Sequence, residues 1–239
     1  MTEIRRMKTA MILAAGRGQR LRPLTDTTPK PLIKVGSRSL VEHHLRALKE
    51  AGFTEIVINL CHLGEKISKY LGDGEQFGVK ISYSWEPPGA LETAGGIRHA
   101  LELLDTDQFL VVNGDIRCDL AFENLTLPDD SAMHLVLVPN PADHIEGDFS
   151  LDSAFSPARL CIQNPDGPTY TFSGIGIYKR SVFQGLLDRV QPLAPIIAQN
   201  IKLNLATAEI YQGHWFDIGT AERLAKAREA EPVQSIESH

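Results

Sequence analysis

The residues best suited to chemistry gather between Leu13 and Leu32, in LAAGRGQRLRPLTDTTPKPL. Gly16 and Gly18 follow an apolar run, Ala10 to Leu13, that reads as a buried strand. Glycines there let backbone N–H groups approach an anion closely. Around them lie Arg17, Arg20, Arg22, Lys30, Lys34 and Arg38 against one acid, Asp26. Pro29 and Pro31 bracket Lys30, and proline restricts both itself and the residue before it, so the Lys30 ammonium sits on a stiff segment and can be aimed. Phosphate is the guest this set suits. The third glycine of the dinucleotide fingerprint is missing, with Leu21 in its place, and no Walker pattern is present.

The elements that must position these groups read as alternating strands and helices, an α/β pattern built on a mostly parallel sheet. Leu40 to Ala51 reads as a helix closed by Gly52, Glu55 to Leu60 as a strand, Gly64 to Leu71 as a short helix and Val79 to Trp85 as a strand. His43 and His44 are adjacent on their helix and point different ways, which suits a structural role better than joint metal binding. Thr93 to Leu104 reads as a helix, in which Gly95 and Gly96 are costly unless something, such as a flat base or ribose, comes close. Phe109 to Val112 is a buried strand running into Asn113, Gly114 and Asp115, so that acid faces the crevice at the carboxyl end of the sheet. Strands are also expected at Met133 to Pro139 and Thr171 to Tyr178, and alternation resumes at Ala208 to Trp215. GDFSL, Gly147 to Leu151, would begin an edge ribbon, and Ser181 to Val190 and Leu193 to Asn200 read as short helices. Asp217 stands on a turn before a last helix that Thr220 would cap. Asn140, Asp148 and Ser173 are candidate contacts to sugar hydroxyl or acetamido groups, because the small residues of TFSGIGIY leave room for a ring.

The Leu13 to Leu32 stretch resembles the signature of the nucleotidyltransferases that make nucleotide sugars, roughly LAAGxGxRxxPLTxxxPKPL, at every fixed position. The resemblance implies a Rossmann-like three-layer domain with a mixed, mostly parallel central sheet. It implies nucleotide contacts at Leu13, Ala14, Gly16, Gly18, Gln19, Arg20, Lys30, Glu86, Thr93, Gly95 and Asn113, with Glu86, Thr93 and Gly95 as the base-reading segment. It makes Lys30, Arg20 and Asp115 catalytic, Gly114 a sugar contact, and Asp115 and Asp217 the ligands of a magnesium ion. In such a reaction a sugar-1-phosphate oxygen attacks the α-phosphorus of a nucleoside triphosphate. Its second pKa lies near 6, so it needs no general base at neutral pH. Within the family, the compact length with LETAGG, VNGD, GDF and GHWFDIGT is most similar to the uridylyltransferases that act on N-acetylmuramic acid 1-phosphate in peptidoglycan recycling, which implies UTP as the other substrate. Guanylyltransferases acting on mannose 1-phosphate are the alternative, and a catalytically silent nucleotide-sugar sensor is a third reading.

Length and composition bound the rest. A chain of 239 residues suits one nucleotidyltransferase domain over 1–231, with a nucleotide-binding half at about 7–115, a sugar-binding half at about 116–231 and a flexible tail at 232–239. Lys and Arg total 24 against 30 Asp and Glu, a net charge of −6, which argues against a nucleic-acid binder. Cys61, Cys118 and Cys161 are far apart and read as reduced thiols, giving a cytoplasmic expectation; no apolar run approaches the roughly 20 residues of a membrane span, and one compact domain suggests a monomer or small homo-oligomer.

Overall fold

Strand β1, Thr9–Leu13, is the axis of the molecule: its centre is fully buried, and it lies between two parallel neighbours. The computed structural model describes residues 7–162 and 167–230. The expected tail at 232–239 and part of the CIQNPDGPTY segment lie outside the described residues. After β1 come a one-turn 3-10 helix at Gln19–Leu21, α1 at Leu24–Thr27, a second 3-10 turn at Lys30–Leu32, and a small ribbon of β2, Lys34–Val35, with β3, Arg38–Ser39. Helix α2, Leu40–Glu50, opens with a capping box in which Ser39 and Glu42 satisfy each other's end of the first turn. Its apolar face, Val41, Leu45 and Leu48, packs on the sheet. Strand β4, Glu55–Leu60, helix α3, Gly64–Leu71, strand β5, Lys80–Trp85, and helix α4, Glu92–His99, follow, then strand β6, Gln108–Asn113.

The strand order places function. The main sheet runs β5-β4-β1-β6 and continues through β11, Thr169–Lys179, β8, Met133–Val138, β12, Ala206–Ile210, β10, Arg159–Cys161, and β9, Phe149–Asp152. The chain winds outward from β1 to β4 and β5, then returns to lay β6 on the other flank of β1. The direction of winding reverses between β1 and β6, and the carboxyl ends of such a pair open a crevice. Leu13 stands directly opposite Asn113 at that opening. Only β11 and β10 run against the other strands, so the sheet is mixed and mostly parallel, as the sequence suggests. One layer, with α2 and α3, covers one face; α4, α5, Ser181–Gln184, and α6, Ala194–Lys202, cover the other. A separate two-stranded ribbon pairs β7, Ile116–Cys118, with β13, Trp215–Asp217, and α7, Ala221–Ala230, closes the described chain.

Three sequence expectations are corrected here. Helix α4 stops at His99 rather than Leu104, although Leu101 and Leu104 are buried as expected. The Arg180 guanidinium donates to the Leu101 and Leu104 carbonyl oxygens at 2.6 Å, supplying partners that another helical turn would have given. Residues expected to continue α5 to Val190 form a loop that crosses α4 instead. The alternation from Ala208 to Trp215 is split, because Tyr211 N bonds Leu137 O and the chain then leaves the main sheet for the β7 ribbon.

Candidate active site

Lys30 leaves its 3-10 turn with its side chain only 10% exposed and donates from Nζ to Asp115 Oδ2 at 2.7 Å. The two prolines give the turn its shape: Pro29 is extended, Pro31 is inside the turn, and Leu32 N and Ile33 N close it. Asp115 follows β6, where Gly114 N bonds Leu13 O at 2.8 Å and a Cβ on Gly114 would stand 2.5 Å from that same oxygen. Glycine is therefore required at 114 for the ends of β1 and β6 to touch, and its backbone lines the cleft beside Asp115.

A cleft opens at this point, lined by Leu13, Ala14, Ala15, Gly16, Lys30, Pro31, Asn59, Glu86, Ala90, Glu92, Thr93, Asn113, Gly114 and Asp115. The position of a Cβ on Gly16 is open space, so nothing in the protein fills it and a ligand can come close. Gly18 has a different reason: its φ is +64°, and a Cβ there would press on the Thr25 methyl group at 2.9 Å. Gln19 and Arg20 are exposed on the turn beyond it. The Arg20 guanidinium lies against Gly219, 2.8 Å from where a Cβ would be, beside Asp217 and outside the lining of the cleft.

The wall of the cleft is built on a buried polar chain. Ala14 N donates to Asn59 Oδ1 at 2.7 Å, Asn59 Nδ2 donates to Glu86 Oε1 at 2.6 Å, and Leu91 N donates to Glu86 Oε2 at 2.7 Å. Asn59 is 3% and Glu86 8% exposed. Glu86, expected to read a base, spends one oxygen on Asn59 and the other on Leu91 N, which fixes the loop from 86 to 91. Within that loop and just beyond it, Ala90 and Glu92 adopt φ of 59° and 58°, a left-handed geometry that costs non-glycine residues energy and concentrates at binding sites. Sequence reasoning missed Asn59; its signal was a lone amide inside the apolar strand EIVINL.

Gly95 is a correction. A Cβ there would lie 2.3 Å from Arg189 O, and Gly95 N donates to Gln191 O at 3.1 Å. The residue makes room for the loop crossing α4, not for a base. Gly96 similarly clears Glu86 and Asn59. The crossing loop is held further by Arg98 Nε to Leu186 O, and by His99, whose Nδ1 meets Asp188 and whose Nε2 meets Trp85 O. The Asp188 hydrogen bond, opposed by partial burial and aided by the Trp85 carbonyl, pushes the His99 imidazole above its ordinary value.

A second hollow adjoins the cleft, sharing Glu92, Thr93 and Asn113 with it and adding Asp148, Phe149, Phe172, Pro192, Leu193, Ala194 and Ile197. Asp148 stands in this hollow, though its Oδ2 accepts from Phe172 N at 2.8 Å and its Oδ1 meets His144. Ser173 and Asn140 are corrections. The Ser173 hydroxyl is 1% exposed and donates to Val136 O at 2.7 Å, pinning the bulge where Gly174 turns β11 with a φ of +82°. The Asn140 amide is consumed by Ile145, Thr169 and Thr171.

The ribbon brings the Asp217 backbone beside Asp115. Asp217 is paired with Ile116 across the two strands, and Ile218 N donates to Asp115 O at 2.8 Å, so the backbones of the two acids are neighbours. Its carboxylate is bound by Arg223 and lines a groove separate from the cleft, shared with Pro139, Pro141, Trp215 and Phe216. Under this ribbon His44 is fully buried, and above all burial, with His43 adding to it, pushes its ring down to about 4, so it is neutral and structural. Asp115 and Asp217 suit a magnesium ion, which takes one or two carboxylates and fills its other positions with phosphate oxygens and water. Among the described residues no group of three or more His, Cys, Asp or Glu is placed to hold a metal ion.

The family model for nucleotidyl transferase matches residues 9–138. The chain is 49% identical over 227 residues to the N-acetylmuramate alpha-1-phosphate uridylyltransferase of Neisseria meningitidis serogroup B, covering 92% of this chain and 96% of the relative. It is 30% identical to the mannose-1-phosphate guanylyltransferase catalytic subunit beta of Dictyostelium discoideum over 88% of this chain, but spans only 60% of that protein's length. In structure it is similar to a putative glucose-1-phosphate thymidylyltransferase of Bacillus anthracis, with a TM-score of 0.78, 23% identity and 98% and 97% of the two chains covered. A UDP-glucose pyrophosphorylase complexed with UDP-glucose gives a TM-score of 0.73 at 16% identity, with 94% and 98% covered.

Proposed function

The chain belongs to the nucleotidyl transferase family and is a nucleotidyltransferase, and from that premise we propose that it joins UTP and N-acetylmuramic acid 1-phosphate into UDP-N-acetylmuramic acid, releasing pyrophosphate, in peptidoglycan recycling. The observation that carries the substrate reading is the near full-length match to the Neisseria uridylyltransferase, against a match to the mannose relative that spans only part of that protein. No helix among the described residues is long and apolar enough to cross a membrane, and the three cysteines are free, which fits a cytoplasmic enzyme.

The residues divide the work as follows. The Gly16 turn lets backbone N–H groups approach the triphosphate, while Ala14, Asn59 and Glu86 hold the cleft wall on which the nucleoside rests. The second hollow, which adjoins the first at Asn113, receives the sugar. Lys30 lines the first cleft beside Asp115 and neutralises the negative charge that otherwise repels one phosphate from another. Asp115 and Asp217 would hold magnesium, which supplies Lewis-acid stabilisation of the phosphoryl oxygens when bound. Arg20, beside Asp217, adds positive charge at the rim. No proton needs removing from the attacking phosphate, and the remaining demand is alignment.

The test is pyrophosphate release with magnesium, across UTP, GTP, CTP and dTTP against the 1-phosphates of N-acetylmuramate, N-acetylglucosamine, mannose and glucose. Release confined to UTP with N-acetylmuramic acid 1-phosphate is expected. Release with GTP and mannose 1-phosphate would replace the substrates and keep the site. Nucleotide binding with no release from any pair would favour the sensor.

A further inference from the structure

Arg223 is engaged on two sides at once. It stands in the first turn of α7, where its N–H donates to Thr220 Oγ1 at 3.3 Å. One guanidinium nitrogen donates to Asp217 and another to Asp143, on the loop from 139 to 148. That loop is braced internally by Asn140 on Ile145 and by His144 on Asp148, while its Asp143 corner is tied across the groove by Arg223. The same loop leads directly into Asp148 and Phe149, which line the sugar-side hollow. The guanidinium cannot be deprotonated in a protein, so its charge stays beside Asp217 at every working pH.

We propose that Arg223 is a positioning residue with two opposed effects: it withholds negative charge from a cation at Asp217, and through Asp143 it pins the wall of the sugar hollow. The inference rests on the reading of Asp217 as a cation ligand. A divalent cation at Asp217 meets Arg223 as a like charge, so Arg223 weakens metal binding there. The Asp143 arm acts in the other direction on the sugar phosphate, since a loop already held in place loses less freedom on binding. A residue that only stabilised the fold would move metal, sugar and nucleotide affinities the same way.

The experiment measures manganese binding to the full chain without substrates, by the paramagnetic resonance signal of free Mn2+, alongside KM for each substrate. Arg223→Gln is expected to bind Mn2+ about two- to fivefold more tightly, the range of a partly exposed ion pair, and to raise the sugar-phosphate KM while leaving the nucleotide KM in place. Asp143→Asn removes only an exposed carboxylate; it is expected to raise the sugar-phosphate KM without tightening Mn2+. Weaker or unchanged Mn2+ binding in Arg223→Gln, or an unmoved sugar-phosphate KM in both variants, overturns the proposal. If Arg223→Gln fails to fold, an unmoved sugar-phosphate KM in Asp143→Asn overturns it and a raised one supports it. Asp217→Asn separates the causes: loss of Mn2+ binding keeps the cation reading, so a failure in the other variants falls on Arg223 alone, whereas full Mn2+ binding in this variant overturns both.

Discussion

Replacing Asn59 with leucine should damage nucleotide binding from behind the cleft wall. The side chain is 3% exposed and connects the Ala14 N–H to Glu86, whose other oxygen holds Leu91. Leucine has nearly the same volume and no polar atom. The Ala14 N–H would be left without a partner, at about 1–3 kcal/mol, and Glu86 would lose a bond to a charged group, worth about 1.5–3 kcal/mol. The added apolar burial returns about 1 kcal/mol. A net loss of about 1.5–5 kcal/mol follows, which in a chain of this size lowers Tm by about 3–20 °C. Because Ala14 and the 86 to 91 loop both line the cleft, the kinetic effect should be one-sided: at 25 °C, far below the transition, the nucleotide KM should rise about fivefold or more, the equivalent of about 1 kcal/mol, while the sugar-phosphate KM changes little. Thermal unfolding and steady-state pyrophosphate release read both. A Tm within about 2 °C of the parent, corresponding to less than about 1 kcal/mol, or equal rises in both KM values, would refute the claim that this buried chain shapes the nucleotide wall.

Lys30→Met should lower kcat by about 100-fold or more, the scale of losing one preorganised charge at a transition state, with a smaller change in nucleotide KM; near-normal turnover in a stopped pyrophosphate assay would remove Lys30 from the chemistry. Gly95→Ala should cost about 1–3 kcal/mol, because its methyl meets the Arg189 carbonyl rather than a movable side chain, and a chemical denaturation curve matching the parent would show that the crossing loop yields freely. The His99 ring binds a proton more tightly folded than unfolded, so its contribution is complete below the ordinary value of 6.5 and is lost as pH rises through the raised folded value. His99→Gln should therefore flatten the decline of stability with pH in that interval, and an unchanged slope in thermal scans across it would dissociate His99 from the effect. Asp115→Asn should abolish turnover at every magnesium concentration; full rescue by excess magnesium would reduce Asp115 to an electrostatic aid.

The parts of the site most legible in the sequence were those written into backbone geometry. Pro29 and Pro31 around Lys30, and an acid directly after an apolar strand, announce their positions through local rules that the fold obeys. Glycine proved ambiguous, because a missing Cβ looks the same whether it admits a ligand or a neighbouring chain. Gly16 faces open space, whereas Gly95 faces Arg189 and Gly114 faces Leu13, and only tertiary contacts tell these apart. Polar residues such as Ser173 and Asn140 failed for a related reason: a hydroxyl or amide near a pocket in sequence can be spent on Val136 or Thr169 in space. The loop after α5 was unreadable because its conformation is dictated by α4, some ninety residues earlier, through Leu186, Asp188 and Gln191.

The positions of Lys30, Asp115 and Asp217 have a topological cause that accounts for where each can stand. The reversal of winding between β1 and β6 leaves no strand to fill the space beyond their carboxyl ends, so the chain after each strand must turn over that opening. Lys30 comes from the segment after β1 and Asp115 from the segment after β6. Asp217 arrives from neither; it is delivered by β13 pairing outside the main sheet with β7, the first short strand after Asp115. Its place is thus set by the ribbon, and the ribbon begins where β6 ends. Each carboxylate also faces a cation of the protein, Lys30 for Asp115 and Arg223 for Asp217, so neither is an uncompensated charge before substrates arrive. Pairing of this kind limits the repulsion that each carboxylate would otherwise exert on an approaching phosphate.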